Sequence, residues 1–506
     1  MSHGRSILLR IGHNQVTAIP TALGYLEAQM ADFAETGTRA QRRVGSPGKR
    51  DGLCWPAAGD RPSGPLVENG RDRRRHAALR SRCRLVPRRY RAMIMHPLRI
   101  LAALCLVAVT ACSGPNRIGA VPRGLADQAT VLDIPNARFW ADTQGPDLIK
   151  EAMDALARER ATLGVTGPAS SMPPANFLSL SGGSDNGAFG AGLLVGWTAA
   201  GTRPSFKIVT GVSTGALIAP LAFLGPDYDP QLRDVYTAIK PRDIFESRGL
   251  LLALFYDALN TTDPLYRLIS RYADEKLLAA VAREYAKGRL LLIGTTNLDM
   301  QRPVIWNMGA IASSGKPGAL ELFRKVLLAS AAVPGAFPAV MFDVEINGRH
   351  YQEMHVDGGA VMQTFLIPPQ VGVLVDMRGQ QHVRERHAYV IRNGRLDPEW
   401  ADTQRSLLSI TGRAISTMIH YSGYNDIVRI YGTSLRDGVD FNLAYIGSDF
   451  ATKHTDMFET SYMRALFDYG YRQARSGYPW HKTPPVYSQP DGEERLLAQT
   501  PPSAPE

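Results

Sequence analysis

Apolar residues follow two periodicities along the chain, and these predict which segments are strands and which are helices. Strands are predicted where apolar residues run together or alternate, at 206–210, 290–295, 388–392 and 441–446. Helices are predicted where apolar residues recur every three or four positions, at 146–163, 274–288, 400–419 and 456–475. Asn347-Gly348 predicts a hairpin turn. The pattern therefore indicates an α/β chain.

Ser213 lies between the strand at 206–210 and an apolar run at 216–224. Its neighbours form Gly211-Val212-Ser213-Thr214-Gly215, a G-x-S-x-G pentapeptide. A serine on so tight a turn needs neighbours without side chains, because flanking backbone passes closely there. This context favours a nucleophilic serine, and an ordinary glycine-rich turn is the alternative.

A second strand, glycine-rich turn and helix are predicted at 178–192, where the turn reads Ser181-Gly182-Gly183-Ser184. Together with the Ser213 strand this makes a βαβ unit, whose right-handed crossover brings both turns to one edge of a parallel sheet. The backbone N–H groups of Gly182, Gly183 and Ser184 could then face an oxyanion beside Ser213. A phosphate cradle is disfavoured, because no lysine follows at the spacing of a P-loop.

Asp357 ends the second strand of the predicted hairpin, within His355-Val356-Asp357-Gly358-Gly359. The two glycines let the backbone turn away, so that the carboxylate can reach a neighbouring loop. Taken alone, Asp-Gly is more often only a turn. Beside the two other segments, Asp357 is a candidate general base.

The three segments, in this order, resemble the patatin-like phospholipase family, whose members carry a Gly-rich oxyanion loop, a G-x-S-x-G serine and a D-G-[GA] aspartate. The resemblance spans roughly Pro174 to Pro369 and includes 328–338, which is similar to the family's Ala-Ser-x-x-x-Pro-x-x-Phe-Pro stretch. It implies a three-layer α/β/α fold with a mostly parallel central sheet, here followed by a C-terminal α/β extension.

The resemblance also implies the chemistry. Ser213 would attack phospholipid or another lipid ester, and Asp357 would accept its proton without a histidine. Gly182, Gly183 and Ser184 would form the oxyanion hole, and no cofactor is implied. Two features depart from the family pattern: Asn186 replaces a loop arginine, and Gln363-Thr364 lies near the place of an Asn-Pro pair.

Two other functions stay open from the sequence. A Ser-Asp-His triad enzyme would use a histidine downstream of Asp357, and the candidates are His382, His387, His420, His454 and His481. A catalytically inactive, membrane-anchored scaffold is the non-enzymatic alternative. The intact pair of Ser213 and Asp357 argues against the scaffold.

A lipoprotein signal peptide is predicted at 93–111. A basic start is followed by an apolar stretch and by Val109-Thr110-Ala111-Cys112, which resembles a lipobox. The stretch is too short to favour a transmembrane helix. We therefore expect Cys112 to be lipidated, which would anchor the chain in a bacterial cell envelope. Ser113 is typical of sorting to the outer membrane, facing the periplasm.

Residues 1–92 precede this signal and carry the chain's basic excess. They hold 18 of the 57 Lys and Arg residues and 7 of the 47 Asp and Glu residues, so the remainder is almost neutral. A nucleic-acid-binding tail is one interpretation of such a segment. A start assigned too early explains it better, so we expect no nucleic-acid partner and no such segment in the mature protein.

Cysteine usage agrees with export, because the chain has no cysteine after Cys112. With no candidate His, Cys and carboxylate cluster, we expect no metal. The apolar run 250–259 is either a core helix or a lid over the site. The predicted organisation is 1–92, a basic upstream segment; 93–111, the signal peptide; 112–170, a tether and helix; 171–375, the catalytic domain; 376–480, the extension; and 481–506, a disordered tail.

Overall fold

A computed structural model describes residues 117–166, 172–247, 260–366, 384–453 and 456–487. Several sequence predictions fall outside these residues: the segment 1–92, the signal peptide at 93–111, Cys112, the apolar run 250–259, His382, His454 and the tail from 488 onward. No helix within the described residues has the length and apolar character needed to cross a bilayer.

The described residues contain eleven strands. They are β1 Arg138–Trp140, β2 Ala175–Leu180, β3 Phe206–Gly211, β4 Glu246–Ser247, β5 Asn260–Thr261, β6 Leu290–Asn297, β7 Arg302–Asn307, β8 Val340–Ile346, β9 Arg349–Asp357, β10 Arg386–Arg392 and β11 Asp440–Tyr445. Nine form one sheet, with the order β1-β7-β6-β3-β2-β10-β11 and with the β8–β9 hairpin joined to β6. Strands β4 and β5 pair separately.

The centre of the large sheet is parallel. Strands β6, β3, β2, β10 and β11 run in one direction, whereas β7 and β1 complete one side with antiparallel pairs. Ligand sites of such sheets lie outside the carboxyl ends of the parallel strands. The turns after β2, β3 and β10 therefore meet at the edge where a site is expected.

The β8–β9 hairpin determines what faces the end of β3. The first half of β6 pairs with β3, where Ile293 lies opposite Gly211. The second half of β6 pairs on the same side with β9, where Thr295 lies opposite Asp357. The last residues of β9 thus face the last residues of β3 along the same side of β6. Its turn, Asn347-Gly348, has the positive φ at both residues that the predicted two-residue hairpin requires.

Ten α-helices accompany the strands within the described residues. They are α1 Gly145–Leu163, α2 Gly187–Ala199, α3 Thr214–Leu224, α4 Asp229–Thr237, α5 Asp263–Tyr272, α6 Glu275–Ala286, α7 Met308–Ser313, α8 Ala319–Ser330, α9 Leu407–Arg436 and α10 Thr460–Arg475.

Alternating side chains of the strands divide the core into two sides. Leu291 and Ile293 of β6 join the large cluster that includes α2, α3, α8 and α10, whereas Leu290 and Leu292 pack with α1 on the other face. Helix α9 covers the same face as α1, over β10 and β11. Because successive strand side chains point to opposite faces, this alternation requires helices on both. The predicted three-layer α/β/α fold is confirmed.

Two details differ from the sequence prediction. The helix predicted at 400–419 is α9, which begins at Leu407 and continues to Arg436. Gly423 and Gly432 interrupt the apolar spacing, and packing of Ile427 and Ile430 on the sheet keeps that part helical. The predicted extension supplies β10 and β11 to the central sheet itself, with β10 directly beside β2.

Candidate active site

Ser213 lies on a strained turn between β3 and α3. Its φ of 55° and ψ of −126° are rare for a residue with a side chain. The glycines on either side are needed for close approach, since a Cβ at Gly211 would lie 2.4 Å from the Gly215 carbonyl oxygen, and one at Gly215 would lie 2.3 Å from that of Leu180. The turn therefore matches the physical reason for a G-x-S-x-G sequence.

Ser330 holds this turn from the end of α8. The backbone N–H of Ser213 donates to Ser330 Oγ at 3.0 Å, and the Ser330 hydroxyl donates to the Gly294 carbonyl at 2.7 Å. All these groups are buried. Ser330 belongs to the stretch 328–338 that carried part of the resemblance. Its hydroxyl connects the Ser213 turn to β6, a contact that the sequence did not indicate.

Asp357 ends β9 and faces the Ser213 turn. Its side chain is 4% exposed, and Oδ1 accepts the Gly359 N–H at 2.7 Å. Oδ2 is buried without a hydrogen-bond partner among the described residues. Burial raises the pKa of Asp357 to about 7, and the Ser213 hydroxyl and the Gly359 N–H limit the rise. A carboxyl with this pKa can accept a proton near neutral pH.

The glycine-rich loop meets the same edge after β2. The Gly182 N–H already donates to the Gln363 carbonyl at 3.0 Å, so it is not available to an oxyanion in this conformation. The Gly183 N–H donates no backbone hydrogen bond among the described residues, and Ser184 begins a short 3-10 turn. Of the three predicted donors, the N–H groups of Gly183 and Ser184 thus remain candidates in this conformation.

Gln363 links the glycine-rich loop to the aspartate turn, a role that no sequence motif indicates. Its carbonyl accepts the Gly182 N–H, and its side-chain amide donates to the Gly359 carbonyl at 2.9 Å. Asp426 of α9 in turn accepts the N–H groups of Gln363 and Thr364 at 2.7 and 3.2 Å. Burial raises the pKa of Asp426. No motif surrounds Asp426, so sequence reasoning could not find it.

Arg392 and Asn393 hold the same loop from the end of β10. Asn393 donates from its backbone N–H to Ser181 Oγ and from its side-chain amide to the Ser181 carbonyl, both at 2.8 Å. Gly183 is required here, because a Cβ would lie 1.9 Å from the Asn393 carbonyl oxygen and its φ is 157°. Arg392 Nη1 lies 3.4 Å from the Gly182 carbonyl oxygen, which also accepts the Ser181 hydroxyl at 2.7 Å.

The Arg392 guanidinium is buried without a close counterion. No described carboxylate lies within ion-pair distance, and Nε has no hydrogen-bond partner among the described residues. Burial lowers the pKa of Arg392 to about 10, although Asp426 and Glu399 act on it from further away. Arg392, at the end of β10, thus places a cation near the glycine-rich loop, in which Asn186 stands where the family pattern has an arginine.

The described histidines downstream of Asp357 form no triad. His387 lies at the start of β10, at the sheet edge opposite Ser213, and His481 pairs through its backbone with β11. His420 lies on α9, where burial and then the charge of Arg392 lower its pKa. Within the ranges that the structure describes, none of these three hydrogen-bonds Ser213 or Asp357.

An apolar cavity of about 40 Å³ lies beside α3, the helix that begins directly after Ser213. Leu217 and Leu221 line it from α3, Leu265 and Leu268 from α5, and Leu327 from α8. Leu217 lies one helical turn after Ser213, and Leu327 lies one turn before Ser330. An apolar chain attached to a group at Ser213 would therefore find apolar walls next to it.

Among the residues that the structure describes, no three His, Cys, Asp or Glu side chains are grouped so that they could hold a metal ion.

Residues 178–368 match a family model described as patatin-like phospholipase. Residues 4–83 match a second model, described as a protein of unknown function, DUF2950. No curated protein sequence matches the chain significantly.

Three solved structures are similar at low identity. VipD from Legionella pneumophila is 10% identical with a TM-score of 0.29, over 60% of this chain and 67% of VipD. Human GIVD cytosolic phospholipase A2 is 11% identical with a TM-score of 0.22, over 56% of this chain and 52% of that chain. The type III effector protein ExoU is 13% identical with a TM-score of 0.22, over 62% and 55%. This chain thus spans about half of the latter two.

Proposed function

We propose, from the premise that residues 178–368 of this chain are a patatin-like phospholipase domain, that the protein is a lipid acyl hydrolase with a catalytic dyad of Ser213 and Asp357. One observation carries the dyad. Asp357 is buried beside the strained Ser213 turn with a pKa of about 7 and with one carboxylate oxygen unpartnered. A general base needs this combination of contact, ionisation near neutral pH and free acceptor capacity.

In the proposed reaction, Asp357 accepts the hydroxyl proton as Ser213 Oγ bonds to the ester carbonyl carbon. The tetrahedral intermediate collapses, the proton passes to the departing alcohol, and an acyl-serine remains. Water then attacks the acyl group while Asp357 accepts its proton. That proton returns to Ser213 as the fatty acid leaves. No histidine is needed at any step.

The N–H groups of Gly183 and Ser184 would stabilise the oxyanion. The Gly183 N–H and the Gly182 carbonyl belong to one peptide unit, and Ser181 and Arg392 both lie at the carbonyl end. A donor at the carbonyl polarises the peptide, which strengthens the N–H at its other end as a donor. A preorganised donor contributes about 3 kcal/mol to the transition state. The apolar side chains that line the cavity, among them Leu217 and Leu327, would contact the start of the acyl chain.

We further propose that Cys112 carries the lipid anchor and that residues 1–92 are absent from the mature protein. An anchor in the outer membrane, facing the periplasm, would keep the domain beside an insoluble substrate and raise its effective concentration there. The lipobox-like sequence ending at Cys112 supports this proposal.

A fluorophosphonate probe and two ester substrates test the function. The full chain is incubated with the probe, and in parallel with phosphatidylcholine and a short-chain p-nitrophenyl ester. We expect labelling mapped to Ser213, together with release of fatty acid and of nitrophenol. Heat-denatured chain is the control. Folded chain that is neither labelled nor active would favour the scaffold, and labelling of another serine would contradict the proposed nucleophile.

Replacement of Arg392 by Met should lower kcat about tenfold with little change in KM, because the Gly182 peptide loses its cationic donor. The melting temperature should not fall, since a buried charge without a counterion disfavours folding. Steady-state kinetics and thermal unfolding measure the two effects.

The matched control is Arg386→Met, which removes a half-buried arginine from the other end of β10. Its kcat should match that of the wild type. A kcat for Arg392→Met that is unchanged, or that falls only together with the melting temperature, would contradict a role in polarising the peptide.

A further inference from the structure

The first half of α9 presents apolar side chains to solvent. Leu407 is 81% exposed and Met418 is 71% exposed, and Ile410 and Tyr421 are each more than half exposed. These four residues are here called the outer stripe. They are three or eight residues apart in sequence, so they share one face of the helix.

The outer stripe points away from the body of the protein. Ile427 and Ile430 pack on the sheet, and each lies nine residues, or two and a half turns, after Met418 and Tyr421 respectively. Gly423 lies on the packed side as well, because a Cβ there would approach the Arg392 guanidinium to 2.8 Å. No described residue covers the outer stripe, and an apolar row of this kind marks a surface for a partner.

The charges around the outer stripe favour an anionic partner. Glu399 and Asp402 precede the helix, but from there to Asp426 the charged residues are Arg405, just before the helix, and Arg413, within its first two turns. Trp400, 89% exposed, precedes the helix. An apolar helix face with aromatic residues and cations beside it fits the boundary between lipid headgroups and acyl chains.

We infer that the outer stripe of α9 docks on the surface of an anionic lipid bilayer. This inference rests on the proposed function and extends it, because it identifies the surface by which the hydrolase would bind its lipid substrate. The same helix carries Asp426, which holds the Gln363-Thr364 turn beside the two catalytic loops. A helix docked on lipid by its outer face would therefore keep the catalytic edge close to the bilayer.

Vesicle binding tests the inference apart from catalysis. The full chain carrying Ser213→Ala is sedimented with vesicles of phosphatidylcholine that contain about one third phosphatidylglycerol. Leu407→Gln combined with Met418→Gln should weaken binding at least tenfold, because two apolar side chains no longer enter the lipid. Met153→Gln combined with Leu163→Gln is the matched control, because these residues are of the same two types, lie on α1 and are 46% and 47% exposed, and this variant should bind as before. All variants also carry Cys112→Ser, so that the lipid anchor proposed above does not contribute to binding.

Turnover provides the second readout. In the chain with Ser213 intact, the double variant should lose about tenfold activity on vesicles and keep its activity on the short p-nitrophenyl ester. Equal binding by both variants would overturn the inference. The inference would also be overturned if the outer stripe only contacted a second copy of the chain. In that case the double variant would lose a dimer without any change in vesicle binding or in turnover on vesicles.

A melting temperature lowered by more than about 5 °C in the double variant would mean that the chain itself covers the stripe, which also overturns the inference. A wild-type chain inactive on every ester, but bound to vesicles through the stripe, would refute the proposed function and leave the docking surface supported.

Discussion

Replacement of Ser213 by Ala should lower kcat about a million-fold on phospholipid and on the short ester, with substrate affinity almost unchanged. The alanine removes the only oxygen that Asp357 can activate at the strained turn, and no other described hydroxyl combines this backbone strain with a free carboxylate oxygen. In serine hydrolases, loss of the nucleophile alone costs nearly the whole chemical contribution of the catalytic group. Release of fatty acid over long incubations measures the residual activity of the variant.

Ser313→Ala is the control for this experiment, because Ser313 is an exposed serine at the end of α7. It should retain full activity. The Ser213→Ala chain should also unfold close to the wild-type temperature, since alanine keeps the Cβ and removes only one hydroxyl. Activity above one hundredth of the wild-type value would exclude Ser213 as the nucleophile.

Asp357→Asn should lower kcat about ten-thousandfold, because an amide keeps the geometry but cannot accept the serine proton. In the wild type, kcat/KM should rise with pH and level off above a pKa of about 7, since only ionised Asp357 acts as the base. Below that pKa it should fall tenfold per pH unit. The residual activity of the variant should not follow this curve.

The same carboxyl makes stability depend on pH in the opposite direction. The pKa of Asp357 is raised in the folded chain, so its protonated form stabilises the fold fully below about pH 4 and this stabilisation is lost as the pH rises through about 7. Asn cannot ionise. Asp357→Asn should therefore unfold at a higher temperature than the wild type at pH 8, by up to about 4 kcal/mol in the free energy of unfolding.

Thermal unfolding at pH 5 and at pH 8 measures this difference. At pH 5 the wild type and the variant should be closer in stability, because most folded wild-type molecules then hold the proton. A difference of the same size at both pH values would mean that Asp357 is not the buried titrating group. A wild-type kcat/KM that is flat between pH 5 and 8 would lead to the same conclusion.

Much of this arrangement follows from local sequence. The tight turn around Ser213 and the Asn347-Gly348 hairpin can be predicted from contiguous residues. Glycine is favoured wherever the backbone approaches another segment closely or φ is positive. Asp357 is a candidate from the sequence because its Asp-Gly-Gly turn ends a hairpin strand and accompanies the two other glycine-rich segments. The head-on approach of β9 to β3 was not predictable, since it depends on both strands pairing with different halves of β6.

The supporting groups could not be predicted for a different reason. Asp426 lies 63 residues from Gln363, and Arg392 lies 210 residues from Gly182. Neither sits in a motif, and a single polar residue on a helix is ordinarily a solvated one. The occupied N–H of Gly182 likewise depends on the fold of a distant turn, so the sequence alone left three equivalent donors.

The position of β10 between β2 and β11 has a consequence for the order in which the molecule acquires activity. A chain synthesised or translocated only as far as residue 385 already contains Ser213 and Asp357, but its β2 has an open edge and its Ser181 loop lacks the bonds to Asn393. Pairing over so long a sequence separation is slow. The nascent chain is therefore expected to remain inactive until its last quarter, from residue 386 onward, has folded.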